Sequence, residues 1–355
     1  MSLSPVVEAD PSPRASGLTT SVVIPTFRRD GYVRECLSHL AALTATPLEV
    51  LVVDATPEES GSPSPTRAVV ASFEGRLPVR YLRNELGAGT TPESRGIGVD
   101  EAVGDIVAFV DDDAYVAPDW LDELLAPYSA PDVVGVGGRI VNGQPGETEE
   151  GLDRIGRLLP DGRLTGYFAA DPGRDVDVDH LLGACMSFRR PALLDVGGVH
   201  GRYPFPCVCE ETDISLRQRA RGRRIVFAPR AVVRHVSAPY AGKGDRFDRR
   251  YDYFRRRNHL VMLVRIYGPT STTARRFVVT VLRENAGRIR WAARVLAGRV
   301  RGPRGERLHA SARLRSPGVL ARVAVDLAGL AVGWPVGVRE LRTDRALAAA
   351  RGEAR

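Results

Sequence analysis

Lysine is almost absent from this chain: Lys243 is the single one among 50 basic residues, a bias that reads as GC-rich coding rather than a choice of guanidinium chemistry. Cysteine is scarce as well. Cys36, Cys185, Cys207 and Cys209 lack the spacing of a zinc or disulfide framework, so reduced thiols in a cytoplasmic protein are expected, with Cys207-Val208-Cys209 the one pair close enough to chelate. The opening MSLSPVVEADPSPRASG has no basic start followed by an apolar run, which argues against a secretory signal and leaves residues 1–18 as an expected disordered lead. The most apolar stretch, VLARVAVDLAGLAVGWPVGV at 319–338, is interrupted by Arg322, Asp326 and Pro335, which argues against a membrane-spanning helix. No internal repeat is visible.

What is present suits a globular protein of one large or two ordinary domains: 355 residues, 43% hydrophobic and 26% charged. The net charge of +7 is unevenly spread. Residues 275–315 hold twelve arginines against Glu284 and Glu306, so a basic appendage follows a mildly acidic front. Within it, FVVTVLRENAGRIRWAARVLAG sets Val278, Val281, Leu282, Ile289, Ala293 and Leu296 near one helical face and Arg283, Arg290 and Arg294 on another. A helix of that kind can lie on an anionic membrane surface.

The front alternates strand and helix. SVVIP at 21–25 and LEVLVVD at 48–54 are continuous apolar runs of the kind buried inside a parallel sheet, separated by a helical pattern at Val33, Leu37, Leu40 and Leu43. A helix near 66–74 leads to VRYLRN at 79–84, and another at about 92–103 precedes DIVAFVDDD. Crossovers of this length predict an α/β fold with a doubly wound, mostly parallel sheet, whose ligands bind at the carboxyl ends of the strands. Asp54 and Asp111 to Asp113 fall at such ends. Further on, VVGVGGRIV at 133–141 reads as a strand, ETDISLRQRAR at 211–221 as a helix, and RRIVFAP and AVVRHV as edge strands.

Three carboxylates in a row repel one another, which points to a cation. On a continuing strand Asp111 and Asp113 share a face, and two carboxylates suit a hard cation such as Mg2+ or Mn2+ that completes its shell with water and substrate phosphates. A solvated turn is the ordinary alternative. A second acidic cluster, Glu210, Glu211 and Asp213, opens a predicted helix, where acids are favoured by the helix dipole and where one of them could serve as a general base.

Taken in order, SVVIPTFRR, LEVLVVD, SRGIGVDEAVGDIVAFVDDDAYVAPDWLDEL, LLGACMSFRRPALLDVGGV and EETDISLRQRARGRRIVFAPRAVVRHV resemble the family 2 glycosyltransferases, enzymes of the GT-A fold that move a sugar from a nucleotide diphosphate to an acceptor. The resemblance spans about residues 20–265. It implies that Pro25, Thr26, Arg28 and Asp54 line the nucleoside pocket and that Arg95 sits near the base or diphosphate. It implies further that Asp111 and Asp113 hold Mn2+ or Mg2+, that Asp112 touches the donor sugar or ribose, and that Gly183 and Ala184 let backbone approach the sugars. His235 matches a histidine that contacts metal or diphosphate in some relatives, and Glu211 matches the base of an inverting transfer, with Glu210 and Asp213 as alternatives. Two departures stand out: Glu-Glu replaces the usual Glu-Asp pair at 210–211, and the second strand continues Asp54-Ala55-Thr56 in place of a further acid or amide and a serine.

The expected partners are a UDP-, GDP- or dTDP-sugar and a hydroxyl acceptor, lipid-linked acceptors included, with an anionic membrane surface allowed and no nucleic acid. The expected location is the cytoplasm, extending to the inner face of the cell membrane. The expected plan is a lead at 1–18, a catalytic domain at 19–265 with a nucleotide-sugar half to about 115 and an acceptor half from 116, and a basic helical extension at 266–355. Nucleotidyl transfer is the rival enzyme class, but SVVIPTFRRDG carries no Gly/Lys phosphate loop. A nucleic-acid binder using the basic tail is the rival without chemistry, and it leaves both acidic clusters without a role.

Overall fold

The computed structural model describes residues 17–58, 62–200, 202–204, 207–238, 248–297 and 310–350, with 310–317 and Ala350 described by backbone alone. The expected lead at 1–18 lies outside these residues except at its end.

Runs of β-branched residues with no polar face become central strands. β1 (Thr20–Thr26), β2 (Glu49–Asp54) and β4 (Ile106–Val110) are buried at every position, whereas β3 (Val79–Arg83), at the sheet edge, stays partly exposed. The crossovers run through α1 (Asp30–Leu40), α2 (Pro65–Ala71) and α3 (Thr91–Glu101), giving the parallel order β3-β2-β1-β4. α1 buries Val33, Cys36, Leu37 and Leu40, one helical stripe, against this sheet.

Past β4 the sheet becomes mixed. Its elements in chain order are β5 (Ala114–Val116), α4 (Trp120–Leu125), β6 (Val133–Val141), β7 (Val176–Asp177), β8 (Cys185–Arg189), α5 (Arg190–Asp195), α6 (Glu210–Ala220) and β9 (Arg224–His235). β8 runs antiparallel between β4 and β6, β6 is parallel to β9, and β9 is antiparallel to β5. The two edge strands expected from RRIVFAP and AVVRHV are one strand, β9, inside the sheet. Pro229 has no amide proton to give a ladder, and the pairing steps from Gly138–Ala228 to Arg139–Val232 around it, so a bulge absorbs the proline without ending the strand.

The C-terminal helices are α7 (Arg249–Tyr267), α8 (Thr272–Leu296) and α9 (Ala310–Ala350). The expected domain boundary at 265 falls within α7, and a second apolar core joins Leu216 of α6 and Leu260 to Val264 of α7 with Phe277 and Val281 of α8 and Leu330 of α9. α9 approaches α7 closely along Gly329, Gly333 and Gly337: a Cβ on Gly333 would lie 2.9 Å from the Arg257 carbonyl oxygen, and one on Gly337 2.8 Å from Val264 Cβ.

Pro335 does not break α9, contrary to the expected interruption; it and Ala331 are both exposed, so the carbonyl that loses its amide partner can be hydrated. Asp326 is fully buried and held by arginines rather than facing outward. The expected apolar face of α8 is divided: Val281 is buried with Ala274, Phe277, Ala292 and Val295, while Leu282, Ile289 and Leu296 are exposed.

Candidate active site

The carboxyl end of β4 opens into a cleft of about 770 Å3. It is lined by Pro25 and Thr26 from β1, Arg95 from α3, Asp111 to Asp113, Gly183 and Ala184 before β8, Glu210 and Glu211 from α6, and His235 from β9. Eleven of the fourteen residues singled out in the sequence thus line one cavity; Arg28, Asp54 and Asp213 do not.

Asp111 to Asp113 form the turn between β4 and β5, with the Ala114 amide donating to the Asp111 carbonyl at 3.1 Å, so the even spacing of a strand does not apply to them. The turn splits the three carboxylates. Asp112 points inward, accepting from the Thr26 hydroxyl at 2.7 Å and from Arg29 at 3.1 Å. It is almost fully buried, and that burial pushes its carboxyl up to about 7, with Arg29 opposing and Asp113 and Asp111 adding repulsion. It thus anchors β1 to the turn while still lining the cleft.

Asp111 and Asp113 face His235. The register explains why: His235 pairs with Ala114 across β5 and β9, one residue from Asp113. The His235 Nε2 lies 3.2 Å from Asp113 Oδ1, and one ligand atom from each of Asp111, Asp113 and His235 falls within 4.8 Å of the others. His235 Nδ1 lies 3.4 Å from the Asn142 side-chain oxygen and 3.3 Å from the Ser237 hydroxyl, the outer support that a metal-binding imidazole uses to fix its orientation. Asp113 also accepts from the Ala238 amide at 2.8 Å. Burial alone would raise the Asp113 carboxyl, but His235, the Ala238 amide and Arg29 hold it below the usual carboxylate range. Two carboxylates and an imidazole fit Mn2+ or Mg2+, with the carboxylates favouring both and the imidazole leaning toward the transition metal.

The start of α6 also lines the cleft. Arg95, almost fully buried, pairs with Asp111 at 2.7 Å and with Glu210, joining the turn to this helix. Gly183 is the residue that makes room: a Cβ there would collide with the Arg95 guanidinium. Arg95 Nε and Glu210 Oε2 are buried without a hydrogen-bond partner among the described residues, a rare condition that suits a site completed by a ligand or water. Of the three acids, Glu211 is partly exposed in the cleft, Glu210 is held by Arg95, and Asp213 lies behind the helix. Asp213 accepts from Tyr203 at 2.7 Å, Arg217 at 2.7 Å and Arg265 at 2.8 Å; burial alone would raise it, but these arginines hold it far below the usual range.

Asp54, expected in the nucleoside pocket, is fully buried at the end of β2, its oxygens accepting from the Thr56 amide at 2.8 Å and the Tyr81 hydroxyl at 3.1 Å. Arg28 adopts φ 54°, and its amide donates to Thr56. Its guanidinium lies 5.7 Å over the ring of cleft-lining Phe27, while Arg29, which the sequence reading passed over, pairs with Asp112 and Asp113. Also passed over were Tyr167, Glu147 and Glu150, which line the cleft from the loop between β6 and β7, a segment without periodicity to mark it.

The five non-glycine residues with positive φ among the described residues, Arg28, Tyr167, Cys207, Cys209 and Ser237, all border this cleft. Tyr167 and Cys207 line it, Arg28 lies between its lining residues Phe27 and Arg29, Cys209 precedes Glu210, and Ser237 supports His235. Such conformations are costly and concentrate where function requires them.

The profile of Glycosyl transferase family 2 matches residues 21–197. The glucosyl-dolichyl phosphate glucuronosyltransferase of Haloferax volcanii is 30% identical over 240 residues, 64% of this chain and 72% of that protein. The validoxylamine A glucosyltransferase of Streptomyces hygroscopicus subsp. limoneus is 34% identical over 113 residues, 31% of this chain, and the match spans about a quarter (24%) of that relative. Among solved structures, a mannosyltransferase from Pyrobaculum calidifontis in complex with GDP-Man and Mn2+ aligns with TM-score 0.50 at 20% identity, covering 98% of this chain and 79% of that one. TarS 1–349 of S. aureus in complex with UDP aligns with TM-score 0.50 at 17% identity, covering 94% and 92%. These two likenesses are of fold.

Proposed function

The chain belongs to glycosyl transferase family 2, and from that premise we propose that it is a metal-dependent, inverting glycosyltransferase using a nucleoside diphosphate sugar and a hydroxyl acceptor. The observation that carries this reading is the pairing, in one cleft, of the Asp111, Asp113 and His235 cluster with the acidic start of α6. In this reading Asp111, Asp113 and His235 hold Mn2+ or Mg2+, which when bound supplies positive charge to the departing nucleotide. Arg95 and Arg29 keep the surrounding carboxylates oriented. Glu211 takes the proton from the acceptor hydroxyl as that oxygen attacks the anomeric carbon from the face opposite the diphosphate, which inverts the configuration there. Glu211 is chosen over Glu210 and Asp213 because it lines the cleft with partial exposure, whereas those two are buried. Gly183 and Ala184 offer backbone to the sugars, and Pro25, Thr26 and Phe27 the wall beside the nucleoside.

The test is Glu211→Gln, assayed for sugar transfer and for nucleotide-sugar binding. Transfer is expected to fall by roughly 10^3-fold with donor affinity retained. Near-normal transfer would move the base elsewhere.

A further inference from the structure

α9 has two unlike faces. Its inner face packs on α7 and α8 and carries Val323, Asp326, Gly329, Leu330, Gly333 and Gly337. On its outer face Leu320, Ala324, Leu327, Ala331, Val332 and Pro335 are exposed, with no charged side chain among them. At about 100° per residue these positions fall within roughly 140° of arc and extend roughly 22 Å along the axis. Arg339, Arg342 and Arg345 are exposed and continue the same arc, whereas Glu340 and Asp344 turn inward to Arg202 and Arg265. Arg339 also pairs with Glu340 at 3.0 Å but stays exposed, so three exposed guanidinium groups stand at the end of an apolar stripe while the neighbouring acids are engaged with the protein. A bare apolar face of this extent on a soluble surface marks a binding site.

We propose that this outer face of α9 lies in the interface of an anionic lipid bilayer, with Leu320 to Pro335 entering the acyl boundary and Arg339, Arg342 and Arg345 meeting lipid phosphates. Charge complementarity selects this occupant, since an apolar stripe that ends in exposed arginines matches the acyl layer and the phosphates of an anionic surface. α8 adds to it, because its exposed Val279, Leu282 and Ile289 run beside a row of exposed arginines, Arg276, Arg283, Arg290 and Arg294. The segment Gly318–Ala349, with mean hydropathy 1.6 over its best window, is long and apolar enough to cross a membrane by length and composition alone. Crossing would strip α9 from α7 and carry Asp326 into hydrocarbon without Arg256 and Arg288, its partners on α7 and α8, so the helix lies in the surface plane. This inference is independent of the donor chemistry.

The test is flotation of the full chain with phosphatidylcholine vesicles, with and without phosphatidylglycerol, over a range of salt. The wild-type chain is expected to float with the anionic vesicles and to be released by salt. Leu327→Glu with Val332→Glu is expected to weaken partitioning at least roughly tenfold. Changing Arg339, Arg342 and Arg345 to serine is expected to remove the preference for anionic lipid, at roughly fivefold per arginine. Leu320→Glu, at the far end of the stripe, checks the result in a separately folded variant, and UDP binding in solution is expected to be unchanged in all of them. No flotation of the wild-type chain, flotation indifferent to the glutamates, or a wild-type dimer that the glutamates dissolve without any vesicle binding would each overturn the proposal.

Discussion

Two buried charge clusters in this molecule are built with opposite stoichiometry. In the cleft, four carboxylates (Asp111, Asp112, Asp113 and Glu210) share two guanidinium groups, those of Arg29 and Arg95. In the helical bundle one fully buried carboxylate, Asp326, is shared by three: Arg256 at 3.2 Å, Arg288 at 2.6 Å and Arg322 at 3.8 Å. Among the described residues the first cluster has more carboxylates than guanidinium groups and is fit to receive another cation. The second is satisfied internally and acts as a bolt across α7, α8 and α9. Buried acidity alone therefore says little about function; what separates the two is whether the protein supplies the compensating charge itself.

The sharpest way to break this comparison is to remove one carboxylate from each side. Asp113→Asn is expected to lower transfer and metal-stimulated donor binding by roughly 10^3-fold, equivalent to about 4 kcal/mol, while folding stability changes by only about 1 kcal/mol because repulsion is relieved as contacts are lost. Titration of the variant with Mn2+ and a denaturant melt measure the two effects. Asp326→Ala is expected to do the reverse, costing about 3 kcal/mol of stability because buried Arg256 and partly exposed Arg288 and Arg322 lose their shared partner, with donor affinity of the folded protein unchanged. Equal losses of stability in both variants would erase the distinction.

Gly183→Ala sharpens the cleft side. The added methyl would press on Arg95 and disturb its link between Asp111 and Glu210, so a fall in kcat of about tenfold is expected with a stability cost of about 1–2 kcal/mol. Steady-state kinetics beside a thermal melt would separate the two.

The smallest effect is in acid. Burial alone would raise the Asp326 carboxyl, but Arg256, Arg288 and Arg322 hold it below its ordinary value. A depressed carboxylate contributes stability that is fully present above its unfolded pKa of about 3.9 and is lost as pH falls through its folded value. Wild-type stability should therefore drop in that acid window, and the Asp326→Ala variant should show a shallower slope there.

The parallel half of the sheet was legible because its strands must be buried on both sides, and a run such as LEVLVVD has no polar face with which to be anything else. Asp111, Asp113, His235 and Glu211 were legible as residue types at strand and helix ends, although their convergence depends on the β5–β9 register, which no local pattern encodes. Arg29 was passed over because no local pattern says which of two adjacent arginines reaches the carboxylates of the turn. The anchoring of Asp112 to Thr26 and Arg29 was not legible, because a turn, not a strand, orients the acidic triplet. β9 was divided in two because its proline looked like an end and is a bulge. In each case the deciding feature is a single backbone conformation or a long-range pairing, and hydrophobic periodicity carries neither.

The glycine row of α9 has a further consequence, for inheritance rather than energy. With Gly329, Gly333 and Gly337 pressed against the backbone and side chains of α7, the helix cannot turn about its own axis, so every later residue has an assigned heading. One residue inserted between Gly337 and Glu340 would swing all that follows by about 100°, taking Glu340 and Asp344 off Arg202 and Arg265 in a single step. Point changes on the outside of α9 are cheap to accumulate, whereas changes of length within it are not. Length variation in this part of the chain should therefore be confined to its ends.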